Sequence, residues 1–398
     1  MLTTYRRVLG LPGAFAFSAS GLLGRLPISM VSLGIVLLIS VETGSYAVAG
    51  AVSASYLVAN AAFALLQGRL VDRFGQSVVL PPAILLFTVS LSLMMVAVQE
   101  GWPTPAPHLL AAVAGASLPQ VGSCVRARWS HLVRDPHELH TAFSLEAVAD
   151  EAVFILGPTL VTLLATGVHP VAGLVAALLT GAVGTLALAA QRRTEPPASR
   201  HTRATGPRPS MPWGRLAPLV VASAAIGALF GGSEVATVAF ADELGSPAAA
   251  GPLLAVWATG SLLSGVITGA VTWRTDTAAR FRAGALLLGV SLLPMPFLEG
   301  LVPMGLVLFV AGFAISPTLI ALMALVEQTV PASRLTEGMA LIHTGMAAGI
   351  APGAALAGIA IDARGASFSY WVPVVAGVLG ALAALAARSA VRSSNLSS

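Results

Sequence analysis

The chain has 398 residues, of which 56% are hydrophobic and 10% charged, with a mean hydropathy of +0.85. A soluble domain carries about 25% charged residues, and buried surface grows too slowly with size to hide so large an apolar share, so a water-soluble enzyme or binding module is excluded. The net charge of +4 comes from arginine alone, and these arginines recur in short clusters between apolar runs, which excludes a nucleic-acid-binding face.

Lipid is the solvent this composition fits. A spanning helix needs about 20 mostly apolar residues, and only helices or closed barrels cross a bilayer. Barrel strands alternate in character over about 10 residues, and these runs do not alternate. The sequence predicts twelve helices, near 10–40, 46–67, 78–98, 108–127, 140–165, 169–190, 216–241, 247–272, 282–299, 303–326, 338–361 and 368–387. The first run is too long for the apolar core of a cleavable signal peptide. The single Cys124 excludes an intramolecular disulfide and fits no multi-cysteine metal site; no metal or cofactor is expected.

Residues 191–214, rich in Arg, Pro, Ser and Thr, read as a linker between an N-terminal six-helix half, 1–190, and a C-terminal half, 215–398. Arginines cluster before the first run, after each even-numbered run through the tenth, and again after the twelfth. The opposite side holds Glu42, Glu100, Asp242, Glu243, Glu299 and Asp362, with Arg364 as its one base. This is the positive-inside pattern, so both termini are expected in the cytoplasm and the chain in the cell membrane. Trp102, Trp129, Trp213, Trp273 and Trp371 fall near run ends, where interfacial anchoring accounts for them. Trp257 lies within a run.

Between the second and third runs sits Gly68-Arg69-Leu70-Val71-Asp72-Arg73-Phe74-Gly75, which reads as a tight charged turn whose glycines permit close backbone approach. Six runs, a basic linker, six more runs and this motif resemble the major facilitator superfamily, whose loop between helices two and three carries Gly-x-x-x-Asp-Arg-x-Gly. Here Gly68, Asp72, Arg73 and Gly75 match it. The equivalent loop of the second half, Gly269 to Arg282, keeps Arg274 and Asp276 but loses the closing spacing. The resemblance implies an all-α membrane protein of twelve transmembrane helices in two pseudo-symmetric halves. It also implies a cytoplasmic latch, with Asp72 docking at the start of the eleventh helix near Thr336 to Gly338 and Arg73 pairing with Asp135 or Glu138. A Gly157-Pro158 pair in the fifth helix matches in part a motif of the family's proton-coupled antiporters. The eleventh helix carries Gly345, Gly349, Pro352, Gly353 and Gly358. Small residues of this kind also serve plain helix packing.

Ionisable residues inside spans are costly and mark functional positions. Arg25 lies near the middle of the first run on a polar stripe with Ser18, Ser29 and Ser32. Glu146 and Asp150, four apart, share a face of the fifth helix, and Glu151 points about 100° away. An Arg25–Asp150 or Arg25–Glu146 pair is expected, with either a structural or a coupling role. Glu234 holds roughly Arg25's place in the seventh helix, on a stripe with Ser223, Phe230 and Thr237. It is the first candidate for carrying a proton or meeting a cationic substrate, followed by Asp150 and Glu151. His343 in the eleventh helix can relay protons, and Gln120 beside Pro119 is placed to line a cavity.

These residues predict a monomeric secondary transporter that takes a small molecule and protons as its partners. Proton-coupled efflux of drugs or metabolites leads. Import of a solute such as an organic anion gripped by Arg25 stands as the alternative, and a non-transporting sensor on the same fold as a third. No Gly-Lys-Ser/Thr nucleotide loop and no nucleophile elbow occurs, so neither ATP-driven transport nor enzyme chemistry is expected.

Overall fold

A computed structural model of the chain describes residues 2–198, 210–270, 275–331 and 335–395. Among the described residues every regular element is helical, and twelve helical stretches are long and apolar enough to cross a membrane. Large aliphatic side chains such as Leu85, Leu163, Val266 and Leu306 stay exposed along them, the outward surface that lipid rather than water requires.

The chain divides into two compact units. The first comprises Met1–Leu38 and Ala59–Ala204, the second Ile39–Val58 and Thr205–Ser398. The second span, Tyr46–Phe74, therefore begins within one unit and continues into the other. The core of the first unit gathers Phe17, Leu80, Val121, Val125, Trp129 and Leu188. That of the second gathers Leu216, Leu219, Phe281, Leu322, Val326 and Ile342.

Prolines set the interior breaks. The first span, Ala14–Thr43, is not one helix: Ala14–Arg25 ends at Leu26 and Pro27–Thr43 begins anew. Proline lacks the N–H that would continue the ladder but suits the first position of a new helix. Arg25 thus sits at a helix end rather than mid-helix. The fourth span is broken likewise between Ser117 and Val121, around Pro119. The seventh, Trp213–Glu243, runs unbroken, with Pro218 near its start.

The charged motif is not a turn. The second span's helix continues through Arg69, Asp72 and Arg73 to Phe74, and Gly75 alone reverses the chain, at φ +90°. Three charges do not end a helix whose end lies beyond the apolar run, and arginine near a helix C-terminus is favourable. A Cβ on Gly68 would meet nothing within 4 Å, so no close approach occurs there; on Gly75 it would lie 2.7 Å from Glu195 Oε1. Glu195 fills that space because it caps the third span, accepting from the Ser77 N–H at 3.0 Å.

The start of the supposed linker is packed structure. Arg128, fully buried, donates from Nε to Gln76 Oε1 (2.7 Å), from one terminal nitrogen to Gln191 O and Thr194 Oγ1 (both 2.8 Å), and from the other to Leu188 O (2.9 Å). A short helical turn, Arg192–Thr194, is held by these bonds.

Candidate functional site

The polar centre of the first unit forms where the two pieces of the first span meet the fourth and fifth spans. Breaking the helix after Arg25 leaves its guanidinium beside two faces. Its Nε donates back to Gly21 O at 3.1 Å, one terminal nitrogen reaches Asp150 Oδ1 at 2.6 Å, and the other pairs with Glu146 Oε2. The four-residue spacing of Glu146 and Asp150 places both carboxylates on the face that takes this fork. Arg25 and Glu146 are buried; the Asp150 side chain is one-third exposed.

Two further side chains whose residue types suggested other duties, Trp129 and Arg126, join the cluster. Trp129, fully buried, donates from Nε1 to Glu146 Oε1 at 2.8 Å and stacks edge-on against Phe17 at 4.7 Å. It is a core residue, not an interfacial anchor, because Glu146 supplies the acceptor a buried indole needs. Arg126, counted only as a topology charge, pairs with the second oxygen of Asp150. Arg126 and Arg128 lie two positions apart on one helix, roughly 200° around its axis, so they serve different partners. Ser18 adds a bond to Glu146 at 3.2 Å. Gly122 keeps room at the centre: a Cβ there would stand 3.3 Å from Arg25 Cδ.

Glu146 accepts from Arg25, Trp129 and Ser18, so its two oxygens are held by three donors. Asp150 is clamped between two arginines, and it is the more exposed of the two carboxylates. A buried ion pair is held this tightly only when its remaining lone pairs are also satisfied. Glu151, next in sequence, is half-buried on another face.

The other predicted residues fall apart from this cluster. Gly157 sits against the first span, where a Cβ would come within 2.9 Å of Ser29 Cβ, and Ser29 in turn donates to Val153 O at 2.9 Å. Pro158 is buried beside it. Gln120, in the break of the fourth span, turns its amide back to Leu118 O at 3.4 Å. Glu138 pairs with Arg7 at 2.9 Å and so does not take Arg73, whose guanidinium lies 5.1 Å from the Phe74 ring. Arg69, Asp72 and Arg73 are exposed. Arg274 and Trp273 lie outside the described residues.

In the second unit, Glu234 is half-buried on the seventh span and His343 is exposed on the eleventh. Phe230, one turn before Glu234, meets Trp257 edge-on at 5.5 Å. Thr237 shares a hydrogen bond with Tyr370 at 3.1 Å. The seventh and eleventh spans touch through glycine. A Cβ on Gly353 would lie 2.6 Å from Ala228 Cα, and one on Gly349 2.6 Å from the carbonyl carbon of Ala224. Pro352 points outward. No group of three or more metal-ligating side chains occurs among the described residues.

A family model, Major Facilitator Superfamily, matches residues 17–331. No curated protein matches the chain. Among solved structures, a peptide transporter POT in complex with sulfate is similar at TM-score 0.73 and 15% identity, over 96% of this chain and 95% of that one. The nucleoside transporter NupG is similar at TM-score 0.70 and 16% identity, over 95% and 98%. The human organic anion transporter MFSD10 (TETRAN) is similar at TM-score 0.63 and 17% identity, over 96% and 99%. At such identities the likeness is one of fold.

Proposed function

The chain belongs to the major facilitator superfamily and is a multi-pass secondary transporter, not an enzyme; from that premise we propose that it exports small amphipathic molecules in exchange for protons. The observation that carries this reading is the clamp on Asp150. A partly exposed carboxylate held by Arg25 and Arg126 is a place where taking up a proton changes local structure, because the neutral acid holds two arginines less well than the anion. Glu234, with Phe230 one turn away and Trp257 against that ring, is the second-unit counterpart, and an acid beside aromatic faces suits a cationic or amine-bearing substrate. Glu151 and His343 are secondary candidates for the proton path. The arginine distribution supports a cell-membrane location with both termini cytoplasmic, and Asp72 and Arg73 at the cytoplasmic end of the second span remain candidates for a gate.

The alternative importer, with Arg25 gripping an organic anion, is less favoured. Each nitrogen of Arg25 is already engaged, by Gly21, Asp150 and Glu146, so an anion would compete with two carboxylates for the guanidinium. Inside-out vesicles with an imposed pH gradient test the proposal, using fluorescent cationic, neutral and anionic probes. Export predicts protonophore-sensitive accumulation of the cationic or neutral probe, lost in Asp150→Asn and Glu234→Gln while both variants remain folded. Accumulation of the anionic probe in right-side-out vesicles instead, or unchanged coupling in both variants, refutes it.

A further inference from the structure

We propose that Asp362 is the catch of a releasable clasp on the start of the second span, and that letting go of it is a step of the transport cycle. Asp362 ends the eleventh span on the side where acids replace arginines. Its Oδ1 accepts from the Tyr46 N–H at 2.9 Å, and its Oδ2 accepts from the Ala47 N–H at 3.0 Å and from the Ser45 hydroxyl at 2.6 Å. These are the first N–H groups of the Tyr46–Phe74 helix, which have no partner within their own helix, and a carboxylate there also meets the positive end of the helix dipole. The Tyr46 hydroxyl adds a bond to Asp242 at 3.0 Å, at the end of the seventh span.

Below the clasp the helices touch backbone to backbone. A Cβ on Gly358 would stand 2.8 Å from the carbonyl carbon of Tyr46, and one on Gly50 2.7 Å from Ala354 O. Glycine faces interlock no side chains, so they can part without unthreading any. The bonds of Asp362 lie at an exposed end, where water replaces each partner once the two sides separate. Both features favour reversible contact.

The topology supplies the reason to release. Residues 39–58 group with the second unit, yet their helix runs on into the first. Alternating access moves the two halves of such a transporter against each other. A helix rooted in both units must then bend or let go at one end, and this end is held by four exposed hydrogen bonds. Glu243 offers the contrast. It accepts from the Ala366 N–H at 2.7 Å, also at a helix start, but both partners lie beyond residue 205, so that cap joins nothing that must part.

The clasp rests on the transporter reading and needs neither export nor proton coupling, so its test reads accessibility rather than transport. Ser53, buried on the helix face that also carries Tyr46 and Gly50, is replaced by cysteine in a background where the sole native cysteine, Cys124, is alanine. Labelling by an impermeant maleimide is followed on right-side-out and inside-out vesicles, so that an inverted orientation is not read as failure. The expected result is slow labelling in the parent, a several-fold faster rate in Asp362→Ala, and a smaller rise in Asp362→Asn, which keeps acceptor oxygen but no charge. Ser45→Ala with Tyr46→Phe, which strips both hydroxyl donors, also raises the rate, and Glu243→Ala does not. Melting temperatures separate release from unfolding. Parent-like labelling from both faces in folded Asp362→Ala overturns the clasp; if that variant does not fold, parent-like labelling in the Ser45→Ala, Tyr46→Phe protein does so.

Discussion

The first span breaks at Leu26 and ends its first piece on an arginine bonded through each of its three nitrogens, whereas the seventh runs unbroken and meets the eleventh on glycines. Both hold the same place in a six-helix pattern. One is fixed by directional bonds between opposite charges, the other by closeness of fit. Charges in a low-dielectric interior tolerate displacement badly but are indifferent to neighbouring shape; a glycine contact is the reverse. The first unit is therefore sensitive to chemical substitution and the second to added volume, and the pseudo-symmetry of the halves preserves architecture without preserving chemistry.

The largest expected effect tests the charged side. Arg25→Ala leaves Glu146 buried without its cation, and removing one partner of a buried pair costs about 3–5 kcal/mol; the double variant Arg25→Ala, Glu146→Ala should recover part of this. Thermal unfolding in detergent measures both, and a double variant no better than the single one breaks the comparison. Next comes the steric side. Gly353→Val drives methyl groups into the backbone of Ala228, at about 1–3 kcal/mol for overpacking, while Gly353→Ser should be as harmful as Gly353→Ala because polarity is not at issue. A serine variant distinctly better folded than alanine argues against fit as the controlling feature. The smallest effect refines the charged side again. Trp129→Phe keeps the ring against Phe17 and removes only the N–H on Glu146, so the loss should be about 2 kcal/mol, the range for a hydrogen bond to a charged group. Intrinsic fluorescence and unfolding midpoints check it.

What could be read in advance follows the same division. Span number was legible because the bilayer imposes length directly. The Arg25 partners were legible because Glu146 and Asp150 stand four apart, and helical spacing alone aligns them. Arg126, Arg128 and Trp129 were not, since counting arginines as topology marks and tryptophans as anchors assigns no direction to a side chain. Two arginines at adjoining even positions face opposite ways, and only packing says which meets Asp150 and which is buried under Gln191. Glu195 and Asp362 left no local signal either. Each caps a helix that starts more than a hundred residues away, and the receiving glycine or serine gives no hint of its partner. The motif at Gly68 to Gly75 ends the second span rather than lying between two spans, because charge density does not reverse a chain and a single glycine, Gly75, does.

The bonds of Arg128 and Glu195 bear on where this polypeptide can be cut. Because Gln191, Thr194 and Glu195 complete the floor of the first unit, expressing the halves as separate polypeptides demands a break downstream of Glu195. A fragment stopped at Ala190 would strip the buried Arg128 guanidinium of two acceptors and leave the Ser77 N–H without its cap. The same fragment extended by five residues would carry its own seal.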